Sequence, residues 1–148
     1  MILLVDEDRD LMKDYIWELK KEFGEKEVRY FTNLSAIISE LATMKKEKTL
    51  YQIECIVIDG MPGEAPSMLK TFADKLNDEL FTGIAFREYL KSVLEYQTIK
   101  TLFFSIIDKE ELENAGAIII DESEYLGKAG DDPSPMQLVA KIKNNIQQ

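Results

Sequence analysis

Three apolar runs, each carrying a polar residue at or near its end, constrain this chain most. Residues 1–5 read Met-Ile-Leu-Leu-Val and stop at Asp6-Glu7-Asp8, residues 53–58 stop at Asp59, and residues 101–107 form a third run that contains Ser105. A strand that is apolar at successive positions has no solvent face, so it belongs inside a parallel sheet covered on both sides.

The intervening segments carry the other period. Leu11, Met12, Tyr15, Ile16, Leu19 and Phe23 recur at helical spacing, with Gly24 placed to end that helix. Residues 27–31 make a short second strand, and Asn33 caps a helix bearing Leu34, Ile37, Ile38 and Leu41. Residues 45–48 read as a solvated loop. After the turn Asp59-Gly60-Met61-Pro62-Gly63, helical spacing runs from Ser67 to Leu94, interrupted at Thr82-Gly83. An acidic helix over 108–115 and a final helix over 135–146 follow. Two segments compete for the fifth strand: Ala117-Ile118-Ile119-Ile120, and the stretch leading to Lys128.

Strands alternating with helices predict one α/β domain over residues 1–148. It is a doubly wound, five-stranded parallel sheet with helices on both faces and an enlarged helical region between strands 3 and 4. In such sheets ligands bind beyond the carboxyl ends of the strands, where the strand order reverses.

Composition narrows the function classes. With 18 basic and 28 acidic residues the net charge is −10, which repels nucleic-acid backbones and anionic lipid, so direct nucleic-acid binding and membrane association are not expected. No apolar run reaches the ~18 to 20 residues that cross a bilayer, and Met1 enters the first strand without a basic leader, so a cytoplasmic location is expected. Cys55 is the only cysteine and sits among apolar neighbours, as a buried, inert thiol does. The chain has no histidine, so any phosphohistidine belongs to a partner.

Asp6, Glu7 and Asp8 follow the first strand, Asp59 the third, and Ser105 lies near the end of the fourth. Lys128 lies near the fifth. Carboxylates crowded at one sheet edge repel each other, and a hard cation such as Mg²⁺ relieves that repulsion. With a lysine, it can neutralise phosphoryl oxygens during transfer to a carboxylate nucleophile. Each residue also has a plainer reading. The three acids can cap the first helix, Asp59 can be a turn residue, and Ser105 a satisfied core hydroxyl. Lys128 can be a surface charge and Tyr125 half-buried packing.

Taken together, the motifs resemble the receiver domains of bacterial two-component response regulators. Ile2-Leu3-Leu4-Val5-Asp6-Glu7-Asp8 is similar to the family's opening metal-binding motif, and Ile56-Val57-Ile58-Asp59 with Met61-Pro62-Gly63 to its phosphoacceptor strand and turn. Thr101-Leu102-Phe103-Phe104-Ser105 resembles the strand ending in the switch hydroxyl, and Tyr125-Leu126-Gly127-Lys128 the segment with the switch aromatic and phosphate-binding lysine. The resemblance implies a flavodoxin-like receiver fold with Asp59 as phosphoacceptor. It implies Mg²⁺ held by Asp6, Glu7, Asp59 and the Met61 backbone carbonyl, Lys128 pairing with the phosphoryl group, and Ser105 with Tyr125 as the switch. It further implies a histidine kinase or histidine phosphotransfer protein as donor, a downstream protein target, and, in some members, a homodimer through the last strand and helix. Catalysis would be limited to the chain's own phosphorylation and dephosphorylation. The end of the chain soon after the last helix implies a stand-alone regulator or a receiver taken from a longer protein.

The sequence departs from the family pattern in places. Pro62 comes one position early after Asp59, Ile106 stands where a small residue is favoured, and Ala129 replaces a proline after Lys128. These departures favour an alternative, a phosphorylation-independent pseudo-receiver acting as an interaction module. A haloacid-dehalogenase-type phosphatase is disfavoured because Met61 occupies the position of its second acid.

Overall fold

The computed structural model describes residues 1–128 and 134–147. Five strands, β1 (Ile2–Val5), β2 (Val28–Phe31), β3 (Cys55–Ile58), β4 (Lys100–Ser105) and β5 (Tyr125–Gly127), form one all-parallel sheet in the order β2-β1-β3-β4-β5. This is the doubly wound, flavodoxin-like order, and its switch point lies between β1 and β3. Six helices flank it: α1 (Arg9–Phe23), α2 (Leu34–Glu47), α3 (Lys70–Ala73), α4 (Thr82–Ser92), α5 (Lys109–Gly116) and α6 (Pro135–Ile146).

Alternation along the strands explains why both faces are apolar. Leu3 and Val5 of β1, Ile56 and Ile58 of β3 and Phe103 of β4 join one core with Leu34, Ile37 and Leu41 of α2, Ile84 and Phe86 of α4 and Leu112 of α5. Ile2, Leu4, Cys55, Val57, Leu102 and Phe104 face the opposite way, onto Met12, Tyr15 and Leu19 of α1 and Leu138, Val139 and Ile142 of α6. No helix among the described residues is long and apolar enough to cross a membrane.

Several element bounds differ from the sequence reading. Helix α2 continues through Glu47, taking in the charged stretch read as a loop, because Met44 on the same turns is buried while the lysines face solvent; Lys48 then ends it in a left-handed conformation. The helical spacing between Ser67 and Leu94 resolves into a short 3₁₀ turn (Ser67–Leu69), one turn of α3, an irregular stretch over 74–81, and α4. Of the two segments that competed for the fifth strand, Tyr125–Gly127, which leads to Lys128, forms it and the apolar segment 117–120 does not: Ala117 adopts a left-handed conformation, and Ile119 is exposed while Ile120 alone is buried. Ala129 lies outside the described residues.

Candidate functional site

The parallel ladders run one residue past each strand end and so fix the acids. The Asp59 amide donates to the Val5 carbonyl at 3.0 Å, the Asp6 amide to Phe31 at 3.1 Å, and the Lys128 amide to Ser105 at 2.7 Å. Asp6, Asp59, Ser105 and Lys128 thereby meet at the carboxyl edge of the sheet. With Glu7, Asp8, Leu11, Met61, Ile106 and Ile107 they line a small pocket of about 150 Å³.

Lys128, 3% exposed, is the electrostatic centre of this pocket. Its ammonium forms an ion pair with the buried Asp6 carboxylate, and Asp59 Oδ1 lies 3.5 Å away. Asp6 is further held by its own loop and by β2: the Asp8 amide donates to Asp6 Oδ1 at 2.9 Å, and the Tyr30 hydroxyl donates to the Asp6 carbonyl at 2.5 Å. Burial raises the Asp59 carboxyl to a pKa of about 6; Lys128 opposes the shift, and the neighbouring Asp6 charge adds to it.

The three acids after β1 take different parts. Asp8 caps α1, its side chain accepting from the Leu11 amide at 3.1 Å, as the helix-cap reading expects. Asp6 enters the pocket. Glu7 is exposed on the pocket wall, its carboxylate turned toward Gly63, where an added Cβ would meet Glu7 Oε2 at 3.2 Å. Among the described residues, no three cysteine or acidic side chains are grouped so as to hold a metal ion by themselves. Mg²⁺ binds through one or two carboxylates and keeps waters, so Asp6 and Asp59, both beside Lys128, are the pair that could supply them.

Ser105 and Tyr125 are joined through one residue. Ser105 Oγ accepts from the Ile107 amide at 3.0 Å, and the Tyr125 hydroxyl donates to the Ile107 carbonyl at 2.7 Å. The serine hydroxyl keeps its own proton to donate. Met61 is half-buried, and Ile106, 56% exposed, forms part of the pocket lip.

Two features escaped the sequence reading. Gly83, read as a helix break, is where the first turn of α4 touches the Asp59 turn: its amide donates to the Gly60 carbonyl at 3.1 Å, and a Cβ there would lie 2.0 Å from the Asp59 carbonyl oxygen. Helix α4 thus braces the Asp59 turn, aided by Thr82 Oγ1 donating to the Gly63 carbonyl at 2.6 Å. A glycine inside a helical pattern was the available signal. The second is Arg87, 3% exposed, which pairs with Glu124 at 2.9 Å beside Tyr125 and stands 6.0 Å from the Phe103 ring centroid. Nothing in its helical spacing distinguishes it from a surface arginine.

No family model matches this sequence, and no curated protein matches it. Among solved structures, the chain is similar to one described as the yeast Spc42 trimeric coiled coil, amino acids 181–211, fused to another structure, at 14% identity and a TM-score of 0.55. The match covers 99% of this chain and 76% of that one, and it shows the fold alone.

Proposed function

We propose that the chain is a receiver domain whose Asp59 accepts a phosphoryl group from a histidine of a partner kinase or phosphotransfer protein. The observation that carries this reading is the convergence of one buried lysine on two carboxylates, Asp6 and Asp59, at the switch point of the sheet.

In the transfer, an Asp59 carboxylate oxygen forms the new bond to phosphorus as the bond to the donor nitrogen breaks. That oxygen attacks only when ionised, and a pKa of about 6 leaves it ionised at neutral pH. Lys128 stands close enough to Asp59 to neutralise the incoming phosphoryl charge, and the Ser105 hydroxyl supplies a hydrogen bond. Mg²⁺, held by Asp6 and Asp59 with Glu7 and the Met61 carbonyl nearby, would screen the same charge. A Ser105 drawn toward the phosphoryl group pulls on Ile107, and through it on the Tyr125 hydroxyl, which carries the signal to the β5 edge that a downstream protein reads.

A pseudo-receiver is the second reading, and the direct Lys128–Asp6 ion pair favours it because it satisfies one acid without a metal. Intact-protein mass spectrometry after acetyl phosphate treatment, with and without Mg²⁺, tests the first reading. A Mg²⁺-dependent gain of one phosphoryl mass, lost in Asp59→Asn, supports it. Absence of both phosphoryl gain and Mg²⁺ binding moves the assignment to the pseudo-receiver.

A further inference from the structure

The enlarged segment between β3 and α4 does more than lengthen the chain. With the loop after β1 it encloses a groove of about 630 Å³, lined by Met61, Ala65, Ala73 and Leu80 together with Glu7, Glu64, Asp74 and Glu79. That volume is in the range of ligand-binding clefts, and the groove sits at the β1/β3 switch point where doubly wound sheets bind their ligands. It is separate from the Asp59 pocket but shares Glu7 and Met61 with it.

The lining is chemically one-sided. Its floor is apolar, and Leu80 stands 66% exposed at the rim. No lysine or arginine lines it, and none of Glu7, Glu64, Asp74 or Glu79 forms an ion pair among the described residues. Lys75, beside Asp74, stands 6.0 Å from the Phe72 ring centroid instead. Four uncompensated carboxylates around an apolar floor repel phosphates, nucleotides and acidic peptides, and they complement a cation carried on a hydrocarbon stem. A second copy of this chain, itself at −10, is a poor match on the same grounds.

We infer that this groove docks a basic, apolar segment of a partner protein, with a leucine-like side chain on the floor and lysine or arginine at the acidic rim. The inference does not depend on phosphoryl transfer to Asp59. An occupant would nonetheless touch Glu7 and Met61, which also wall the Asp59 pocket.

Fluorescence anisotropy of a short labelled peptide of alternating leucine and lysine, titrated with the full chain, tests this. Neutralising the rim with Glu64→Gln, Asp74→Asn and Glu79→Gln together weakens binding by about tenfold, from three partly screened charge contacts. Ala65→Trp, which fills the groove without changing charge, abolishes binding. Because Ala65 is half-buried, Leu80→Gln at an exposed position provides a second, fold-neutral loss. Equal neutralisation on α1, with Asp10→Asn, Asp14→Asn and Glu18→Gln, leaves binding within about twofold, because those charges lie outside the groove. Equal loss in the α1 control, or undiminished binding by the folded Ala65→Trp and Leu80→Gln variants, overturns the inference as unspecific attraction. Hexylammonium shifting the amides of Ala65 and Ala73 while the peptide fails to bind makes the groove a small-cation site and overturns it too. A dimer dispersed by Leu80→Gln, seen by sedimentation, assigns the groove to a second copy and likewise overturns the inference.

Discussion

Replacing Asp59 by asparagine should stabilise the metal-free protein at neutral pH and lose that advantage in acid. The Asp59 pKa rises from 3.8 to about 6, first through burial. The folded state therefore holds its proton to higher pH than the unfolded chain does. Between these two values the folded state binds more protons, so Asp59's contribution to stability falls as pH rises through that window, and above about pH 6 the penalty stays constant. A displacement of about two pKa units corresponds to about 3 kcal/mol at ~1.4 kcal/mol per unit. Lys128 is already counted in that shift, and in the variant it keeps Asp6. Asparagine has the shape of the protonated acid and carries no penalty. The expected gain is about 2 to 3 kcal/mol near pH 7.5, or roughly 5–10 °C in Tm for a domain of this size.

Urea unfolding followed by far-ultraviolet circular dichroism, with EDTA present, measures this at about pH 7.5 and again at about pH 4, where the difference should shrink toward zero. Trp17 is a poor reporter because it is 63% exposed. Comparing the two proteins at each pH cancels the titration of the acids that do not interact with Asp59. An advantage of the same size at both pH values, or a variant less stable than wild type at the higher one, would refute the reasoning.

Lys128→Met should cost about 3 to 5 kcal/mol in the same urea assay, because it leaves the buried Asp6 uncompensated beside Asp59. Gly83→Ala sets two effects against each other: helix propensity favours alanine by about 1 kcal/mol, but its Cβ would lie 2.0 Å from the Asp59 carbonyl oxygen. We expect a net loss of at least about 2 kcal/mol and shifted amide resonances at Asp59 and Gly60; a stabilised variant would refute the close approach. Glu124→Ala should be more harmful than Arg87→Met, by about 1 kcal/mol, since the first leaves the buried guanidinium with Glu88 alone, at 3.2 Å, and the second substitutes an apolar chain for it; thermal melts of both variants check the order. Millimolar Mg²⁺ should raise the Tm of wild type and leave Asp59→Asn nearly unmoved, as a ligand bound through Asp59 requires.

The parts of the fold legible in the sequence were those where a strand is buried on both faces. Each such strand carries a polar residue at its carboxyl end, where the sheet edge lines the pocket, so the apolar runs pointed to Asp6, Asp59 and Ser105 as neighbours. The fifth strand was less legible. It is an edge strand of three residues paired on one side only, and its half-buried Tyr-Leu-Gly is a weaker signal than the Ala-Ile-Ile-Ile that precedes it. That apolar segment fails as a strand for a local reason: the Glu113 carboxylate accepts from the Ile120 amide at 2.8 Å, and the Ile118 amide donates to the Glu113 carbonyl. Its backbone groups therefore turn back onto α5.

The longer segment between β3 and β4 misled for a related reason. Phe72 and Leu76 share helical spacing, yet the helix stops at Ala73 and the chain turns outward before α4 begins. Periodicity reports which residues seek the core, not whether the backbone between them stays helical. The outward turn leaves Leu80 and two acids, Asp74 and Glu79, around open space, where a continuous helix would have packed its apolar face down. Gly83 then returns the chain to the sheet by a contact that only a residue without a side chain permits. The irregular stretch that blurred the sequence pattern is thus the one that forms the groove, and the glycine closing it is the one bracing the Asp59 turn. A partner seated in that groove would press on the same framework that holds the carboxylate.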